Sequence, residues 1–318
     1  MRKIRCEMSN LSETSGVFIV AQTPFDDIGR VDLDSIETLT DFYFAHGATG
    51  LTVLGVAGEA SKLTTEEAID VATTFIRRAA GKPVVVGTSN PNIALLDALT
   101  RKVMDAGAAA VMIAPPAGLK SDEDIFSYFS AVFARIGNTP VVLQDFPTSS
   151  QVWMSVPCIA RLIEAFPQIA IIKEEDLPSI PKITRLRQEV KRPVSIMTGN
   201  NGVYLPQEMA RGINGPMSGF SYPEMLSAVY RLMRDGNAAS AHDIFDMYLP
   251  LLNYENQGQF GVAARKEVLR RRGAIRHANM RRPGPALTNQ ELGEIDLLVR
   301  RIETARAERA VSASTTCK

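Results

Sequence analysis

The sequence predicts an α/β fold: a (β/α)8 TIM barrel with a C-terminal helical extension. Eight short apolar runs, most followed by a segment of helical periodicity, succeed one another within about 220 residues. Such alternation implies parallel strands joined by right-handed crossovers, and eight of them in a domain of this size favour a closed barrel. No glycine-rich dinucleotide fingerprint follows the first run, which weakens the case for an open doubly wound sheet. From Pro223 onward the pattern becomes wholly helical.

The elements follow in order. Gly16 to Phe25 is an apolar strand halted by Pro24, and Asp34 opens a helix with Ile36, Leu39 and Phe42 on one face. Gly50 to Leu54 is the second strand and runs into the loop Gly55-Val56-Ala57-Gly58-Glu59. Thr64-Thr65-Glu66-Glu67 has N-cap and first-turn acid character and starts a helix reaching about Ala80. Strands at Pro83–Gly87, Ala109–Ala114 and Pro140–Leu143 come next, with helices at about 91–105, 122–136 and 155–166. Ile169 to Lys173 is the sixth strand, followed by a helix at 178–189. Pro193–Met197 is the seventh, ending in Thr198-Gly199-Asn200-Asn201-Gly202, and Ile213–Ser218 is a weaker eighth, softened by Gly215 and Pro216. Helices at about 224–235, 239–252, 259–272 and 288–307 make up the rest. The expected division is an N-terminal segment (1–15), the barrel (16–222), the helical extension (223–309) and a disordered tail (310–318).

Composition narrows the function classes. Of 318 residues, 45% are hydrophobic and 22% charged, and the formal net charge is +0, which gives no support to binding of nucleic acid or an anionic membrane. No apolar stretch approaches the roughly 20 residues needed to cross a bilayer. The first fifteen residues lack the apolar segment of a signal peptide. Cys6, Cys158 and Cys317 are far apart and read as free thiols, and His46, His242 and His277 form no cluster. The expectation is a cytoplasmic protein with no metal.

A barrel of this kind carries its active site at the C-terminal ends of its strands. The sixth strand ends in Lys173-Glu174-Glu175-Asp176. That cluster reads either as a solvated strand end or as a lysine held in apolar surroundings. In the second case desolvation disfavours an ammonium and leaves the amine nucleophilic enough to form a Schiff base. The loop at Gly55–Glu59 exposes consecutive backbone N–H groups that can cradle a carboxylate. Strand seven delivers Asn200 and Asn201, and strand five delivers Gln144 and Asp145. One lysine, an anion cradle and a few carboxylates suit Schiff-base chemistry on a 2-oxo acid.

Several elements in fixed order make the pattern specific. They are Ala21 to Phe25, Gly55 to Glu59 with Leu63 and Glu67, Lys173, Gly199 with Asn200, and Gly215 with Met217 and Ser218. Over nearly its whole length the chain resembles the family of dihydrodipicolinate synthase and N-acetylneuraminate lyase. That resemblance implies a (β/α)8 barrel with a three-helix extension, usually assembled as a homotetramer, a dimer of dimers. It implies an imine between Lys173 and the keto carbon of a small 2-oxo acid, with no cofactor. It also implies a substrate carboxylate bound by the backbone N–H groups of Ala57 and Gly58, with Met217 at the pocket.

The departures from the family pattern are as informative. Its usual Gly-Thr-Thr-Gly-Glu loop has Val56 and Ala57 in place of the threonines. Its usual proton-relay tyrosine on strand five is Gln144, which hydrogen-bonds but is no general base. The arginine by which synthases hold the aldehyde's carboxylate aligns with Ser149, and the relay tyrosine from a neighbouring subunit falls near Ala117. Glu175, two residues after Lys173, shares its face on an extended segment. A partly buried carboxyl there suits taking a C3 proton and protonating a leaving hydroxyl; the alternative is a simple ion pair at the barrel rim. A missing tyrosine with a Lys-x-Glu motif resembles the 2-keto-3-deoxy-arabonate dehydratase branch. The expectation is therefore a hydro-lyase acting on a 2-keto-3-deoxy sugar acid, with Lys173 and Glu175 catalytic and Gln144, Asn200 and Asn201 orienting hydroxyls. Open alternatives are an aldolase or synthase with a rearranged proton relay, and a non-catalytic 2-oxo acid binder.

Overall fold

The computed structural model describes residues 11–316. Eight parallel strands close on themselves in sequence order, β1 (Phe18–Val20), β2 (Gly50–Val53), β3 (Val84–Gly87), β4 (Ala110–Ile113), β5 (Val141–Asp145), β6 (Ile169–Glu174), β7 (Ser195–Thr198) and β8 (Gly215–Ser218), with β8 pairing back to β1. The expected TIM barrel is the observed fold.

Side-chain alternation makes the barrel interior. Phe18, Val20, Val85, Ala110, Met112, Val142, Ile171, Met197 and Met217 form an inner apolar cluster, and Leu11 packs into it. The larger outer cluster lies between strands and helices and takes the opposite phase, as Ile19, Val53, Val86, Val111, Leu143, Ile172 and Ile196 show. The segment before β1 is part of this closure: the Gly16 N–H donates to the Asn214 carbonyl, and the Ser195 hydroxyl to the carbonyl of Thr14. Residues 1–10 of the expected N-terminal segment lie outside the described residues, as do Cys6 and Cys317.

The helices around the barrel are α1 (Leu33–Ala45), α2 (Thr65–Arg78), α3 (Ile93–Ala106), α4 (Asp122–Ile136), the short α5 (Pro147–Ser150), α6 (Val156–Ala165), α7 (Ser179–Glu189), the short α8 (Leu205–Met209) and α9 (Pro223–Arg234). At α2 the expected N-cap is present in full: the Thr64 hydroxyl accepts from the Glu67 N–H while the Glu67 carboxylate accepts from the Thr64 N–H. At α1 the cap is Asp32, which accepts from the Ser35 N–H, and Asp34 falls inside the first turn. The first strand is shorter than its apolar run, because the chain past Ala21 turns across the barrel mouth and brings Thr23 to the loop after β2.

Helix α9 follows β8 and lies against the end of α1 through a bond from the Ser227 hydroxyl to the Gly47 carbonyl, with Met225, Leu226 and Val229 buried. It serves as the eighth barrel helix. The extension proper is α10 (Ala238–Tyr254), α11 (Gly258–Arg271) and α12 (Asn289–Thr316). A disordered tail was expected from residue 310, but the backbone stays helical to Thr316. The alanine-, arginine- and glutamate-rich run from Glu303 to Ala310 is strongly helix-forming and carries the helix into it.

Candidate active site

The cavity at the C-terminal mouth of the barrel measures about 160 Å³ and is lined by Ala57, Gln144, Lys173, Glu175, Asn200, Asn201 and Met217, all expected there. Strand geometry brings them together. In register, Gln144 lies beside Lys173, and Lys173 beside Met197. All three share the inward phase of Val142 and Ile171, so Lys173 rises from the apolar barrel floor with only 4% of its surface exposed.

Glu175 is the other buried ionisable group at this position, and it is held from every side. Its Oε2 lies 3.2 Å from Lys173 Nζ and accepts from Gln144 Nε2 at 2.8 Å. Its N–H donates to the Asp145 carbonyl at 2.9 Å, and its own carbonyl accepts from Asn200 Nδ2 at 3.2 Å. The opposite carboxylate oxygen lies against Gly199, where a β-carbon would overlap it. The glycine after β7 therefore makes room for the glutamate after β6. Asn200, Asn201 and Gly202 all take left-handed φ (47°, 55° and 78°), a conformation that Asn and Gly tolerate best. The Ser218 hydroxyl bridges the Thr198 and Gly199 carbonyls at 2.9 Å each and fixes this turn from β8.

The loop after β2 forms two consecutive 3₁₀ turns, Val56–Gly58 and Ala60–Lys62. Ala57 faces the cavity. Gly58 does not: its N–H closes the turn onto the Gly55 carbonyl at 3.0 Å, and its carbonyl accepts from the buried Thr23 hydroxyl at 2.6 Å. The Gly58 N–H is therefore engaged within the turn, and of the expected pair Ala57 is the residue that lines the cavity. Glu59 anchors the loop from behind. Its carboxylate, 1% exposed, pairs with the fully buried Lys266 of α11, with Lys62 at 2.8 Å and with the Arg281 N–H at 3.1 Å. Burial pulls the Lys266 amine down to about 8 against the opposing effect of Glu59.

The two asparagines also carry structure. Asn200 Nδ2 holds Glu175, and Asn201 Nδ2 donates to the Glu255 carbonyl and to Asn256 Oδ1, both at 3.0 Å, tying the barrel rim to the corner between α10 and α11. That corner was not expected at the site, yet Glu255, Asn256, Gln259, Val262 and Arg265 line the cavity. A signal for Arg265 is its spacing, three residues after Val262 and four before Leu269, which puts it on one face of α11 with two apolar residues.

Behind the wall, out of phase with Lys173, Asp145 and Glu174 are fully buried next to Lys182, whose amine donates to Asp145 Oδ2, to the Met154 carbonyl and to Asp176 Oδ2. Burial raises Asp145 to about 6 against the pull of Lys182, and it raises Glu174 well above the usual carboxylate range, with the charge of Asp145 adding to the effect. A second cavity of about 600 Å³ adjoins the first and is lined by Ala117, Phe146 and Ser149, where the synthase arginine and second tyrosine would have been.

A buried lysine with a carboxylate beside it, at the end of strand six of a (β/α)8 barrel, is the arrangement of a class I Schiff-base lyase. The chain belongs to the dihydrodipicolinate synthetase family, whose model matches residues 13–302. It is 29% identical over 297 residues to L-2-keto-3-deoxyarabonate dehydratase of Azospirillum brasilense, covering 91% of this chain and 94% of that one. To 4-hydroxy-tetrahydrodipicolinate synthase of Bacillus subtilis it is 29% identical over 234 residues, 72% of this chain and 80% of that one. The crystal structure of dihydrodipicolinate synthase from Rhodopseudomonas palustris superposes with a TM-score of 0.89 at 44% identity, covering 91% of this chain and 98% of that one. The sialic acid aldolase of Ruminococcus gnavus, at 20% identity and a TM-score of 0.85, covering 93% of this chain and 99% of that one, shares the fold.

Proposed function

We propose that this enzyme removes water from a 2-keto-3-deoxy sugar acid through an imine on Lys173. The observation that carries this reading is the Glu175 carboxylate 3.2 Å from Lys173 Nζ, in a chain that has Gln144 in place of the synthases' relay tyrosine. The Ala57 N–H holds the substrate carboxylate, and Gly58 supports it by closing the turn. The Lys173 nitrogen attacks C2, and water leaves to form an iminium. The iminium draws electrons from C3, and Glu175 takes a C3 proton to give the enamine. The enamine electrons expel the C4 hydroxyl, which takes the proton back from Glu175 and departs as water, leaving a C3–C4 double bond conjugated with the iminium. Loss of a C5 proton and protonation at C3 turn the C5 hydroxyl into the enol of an aldehyde, and a water molecule hydrolyses the iminium to release the semialdehyde and restore Lys173. Gln144 fixes Glu175 at the position of the transferred proton, and Asn200 and Asn201 shape the rim that meets the substrate's hydroxyls. No cofactor is needed, and the assembly is a homotetramer.

The test is borohydride reduction in the presence of pyruvate or a 2-keto-3-deoxy pentonate, followed by intact mass and peptide mapping. One reduced adduct on Lys173 is expected, and its absence would overturn the scheme. Product analysis should show a semialdehyde and no free pyruvate. The 44% identity to a structure described as a dihydrodipicolinate synthase supports a second reading, carbon–carbon bond formation or cleavage with a different proton relay. Release of pyruvate and an aldehyde from the same ketodeoxy acid would select it.

A further inference from the structure

The cavity wall contains a buried guanidinium that the chemistry above leaves unused. Arg265 of α11 is 2% exposed. Its Nε donates to Glu255 Oε2 at 2.9 Å and its Nη2 to the Glu255 carbonyl at 3.3 Å, which fixes the plane of the fork. Glu255 is held in turn by the N–H and hydroxyl of Ser221. The third nitrogen, Nη1, has no hydrogen-bond partner among the described residues. It lies over Gly219, closer than a β-carbon at that position would permit. Arg265 lines the cavity that Lys173 also faces, so an acceptor on a bound molecule there can meet an N–H for which the described residues provide none. Gln259 and Asn256 line the same wall.

The charge of the pair decides what kind of acceptor fits. Glu255 offsets the guanidinium, so the wall has directed donors and little net charge. A second carboxylate would have to shed its water without a compensating cation and would lie near Glu255. A neutral hydroxyl accepts the Nη1 hydrogen bond without that penalty.

We propose that Arg265 is a specificity-determining residue. Its Nη1 donates to a hydroxyl on the distal end of the substrate, and its pairing with Glu255 selects a neutral hydroxylated tail over a second carboxylate. The proposal rests on reading the substrate as a 2-keto-3-deoxy acid.

The experiment measures imine formation alone, so its outcome does not depend on whether water is eliminated. The half-saturating concentration for borohydride trapping is compared for pyruvate, a 2-keto-3-deoxy pentonate and a six-carbon 2-keto-3-deoxy diacid. In the parent enzyme the pentonate should bind about 10–100-fold more tightly than pyruvate, as one hydrogen bond to a charged donor allows. Arg265→Lys should remove most of that advantage while changing the pyruvate value less than about threefold. Gly219→Ala gives a second variant that displaces Nη1 but keeps the Arg265–Glu255 pair, and it should act in the same direction. Equal weakening of pyruvate and pentonate in both variants would reduce Arg265 to a brace of the fold and overturn the proposal. So would a diacid trapped as readily as the monoacid, or no trapping of the pentonate at all. A tail advantage that Arg265→Lys abolishes, in an enzyme that eliminates no water, would uphold the proposal and refute the dehydratase reading.

Discussion

Gln144 Nε2 donates to Glu175 Oε2 at 2.8 Å from the strand position directly beside Lys173. The glutamine thus occupies the relay tyrosine's place in the barrel without its chemistry. It positions the carboxylate that stands next to the amine, and under the proposed dehydratase reading the proton-transfer role moves from strand five to strand six.

Glu175→Gln should separate imine formation from elimination. The amide keeps the shape of the side chain but cannot take a C3 proton. Turnover of a ketodeoxy acid should fall about 10²–10⁴-fold, the usual contribution of a general base. Borohydride should still trap pyruvate on Lys173. Near-normal turnover in this variant would remove Glu175 from the acid–base role.

Gly199→Ala tests the space behind that carboxylate. The added methyl would overlap the Glu175 carboxylate, so the side chain must swing away from Lys173. Turnover should drop at least about tenfold, since displacements of an ångström commonly cost that much or more. Overpacking of this kind lowers stability by about 1–3 kcal/mol, leaving a protein whose circular dichroism matches the parent. A variant with full activity would show that the carboxylate has freedom that the static contacts hide.

Thr23→Val addresses the anion cradle. The hydroxyl donates to the Gly58 carbonyl at 2.6 Å in a buried position, and valine leaves that carbonyl unsatisfied. A loss of about 1–3 kcal/mol in chemical denaturation is expected. If the Ala57 turn binds the substrate carboxylate, KM for the ketodeoxy acid should rise more than kcat falls. An unchanged KM would detach this turn from substrate binding.

Glu174→Gln probes the carboxyl pair behind the barrel wall. Because burial raises Asp145 from 3.8 to about 6, its contribution to stability is complete below its unfolded value and is lost as pH rises through about 6. Glu174, raised further, loses its contribution at higher pH still. An uncharged glutamine removes that second titration. Denaturant midpoints at about pH 5 and 8 should therefore differ less in the variant than in the parent, and at the higher pH the variant should be at least as stable. A variant that is much weaker at the higher pH would mean that Glu174 works as an anion.

Much of this arrangement was legible in the residue order. Apolar runs buried on both faces marked the strands, and Lys173-Glu174-Glu175 marked the functional end of β6, because alternation alone puts residues 173 and 175 on one face. The use of the Gly58 N–H within the loop is not legible in the residues, because closing a 3₁₀ turn depends on φ and ψ rather than on composition. The contribution of α10 and α11 was missed for a different reason. Glu255 and Arg265 are far from β6 in sequence, and no periodicity within either segment states which barrel mouth they will cover. Only the placement of an arginine on an otherwise small and apolar helix face hinted at it.

The pairing of Glu59 with Lys266 has a consequence for what counts as the enzyme's minimal unit. The turn at the barrel mouth is built early in the chain, yet its rear support arrives more than two hundred residues later, from α11 and the loop at Arg281. A fragment ending after β8 would keep every barrel strand and lose the clasp on that turn, along with Arg265. Trimming, domain exchange or grafting of this barrel must therefore carry the helical extension with it, and sequence changes in the turn and in α11 are expected to occur together.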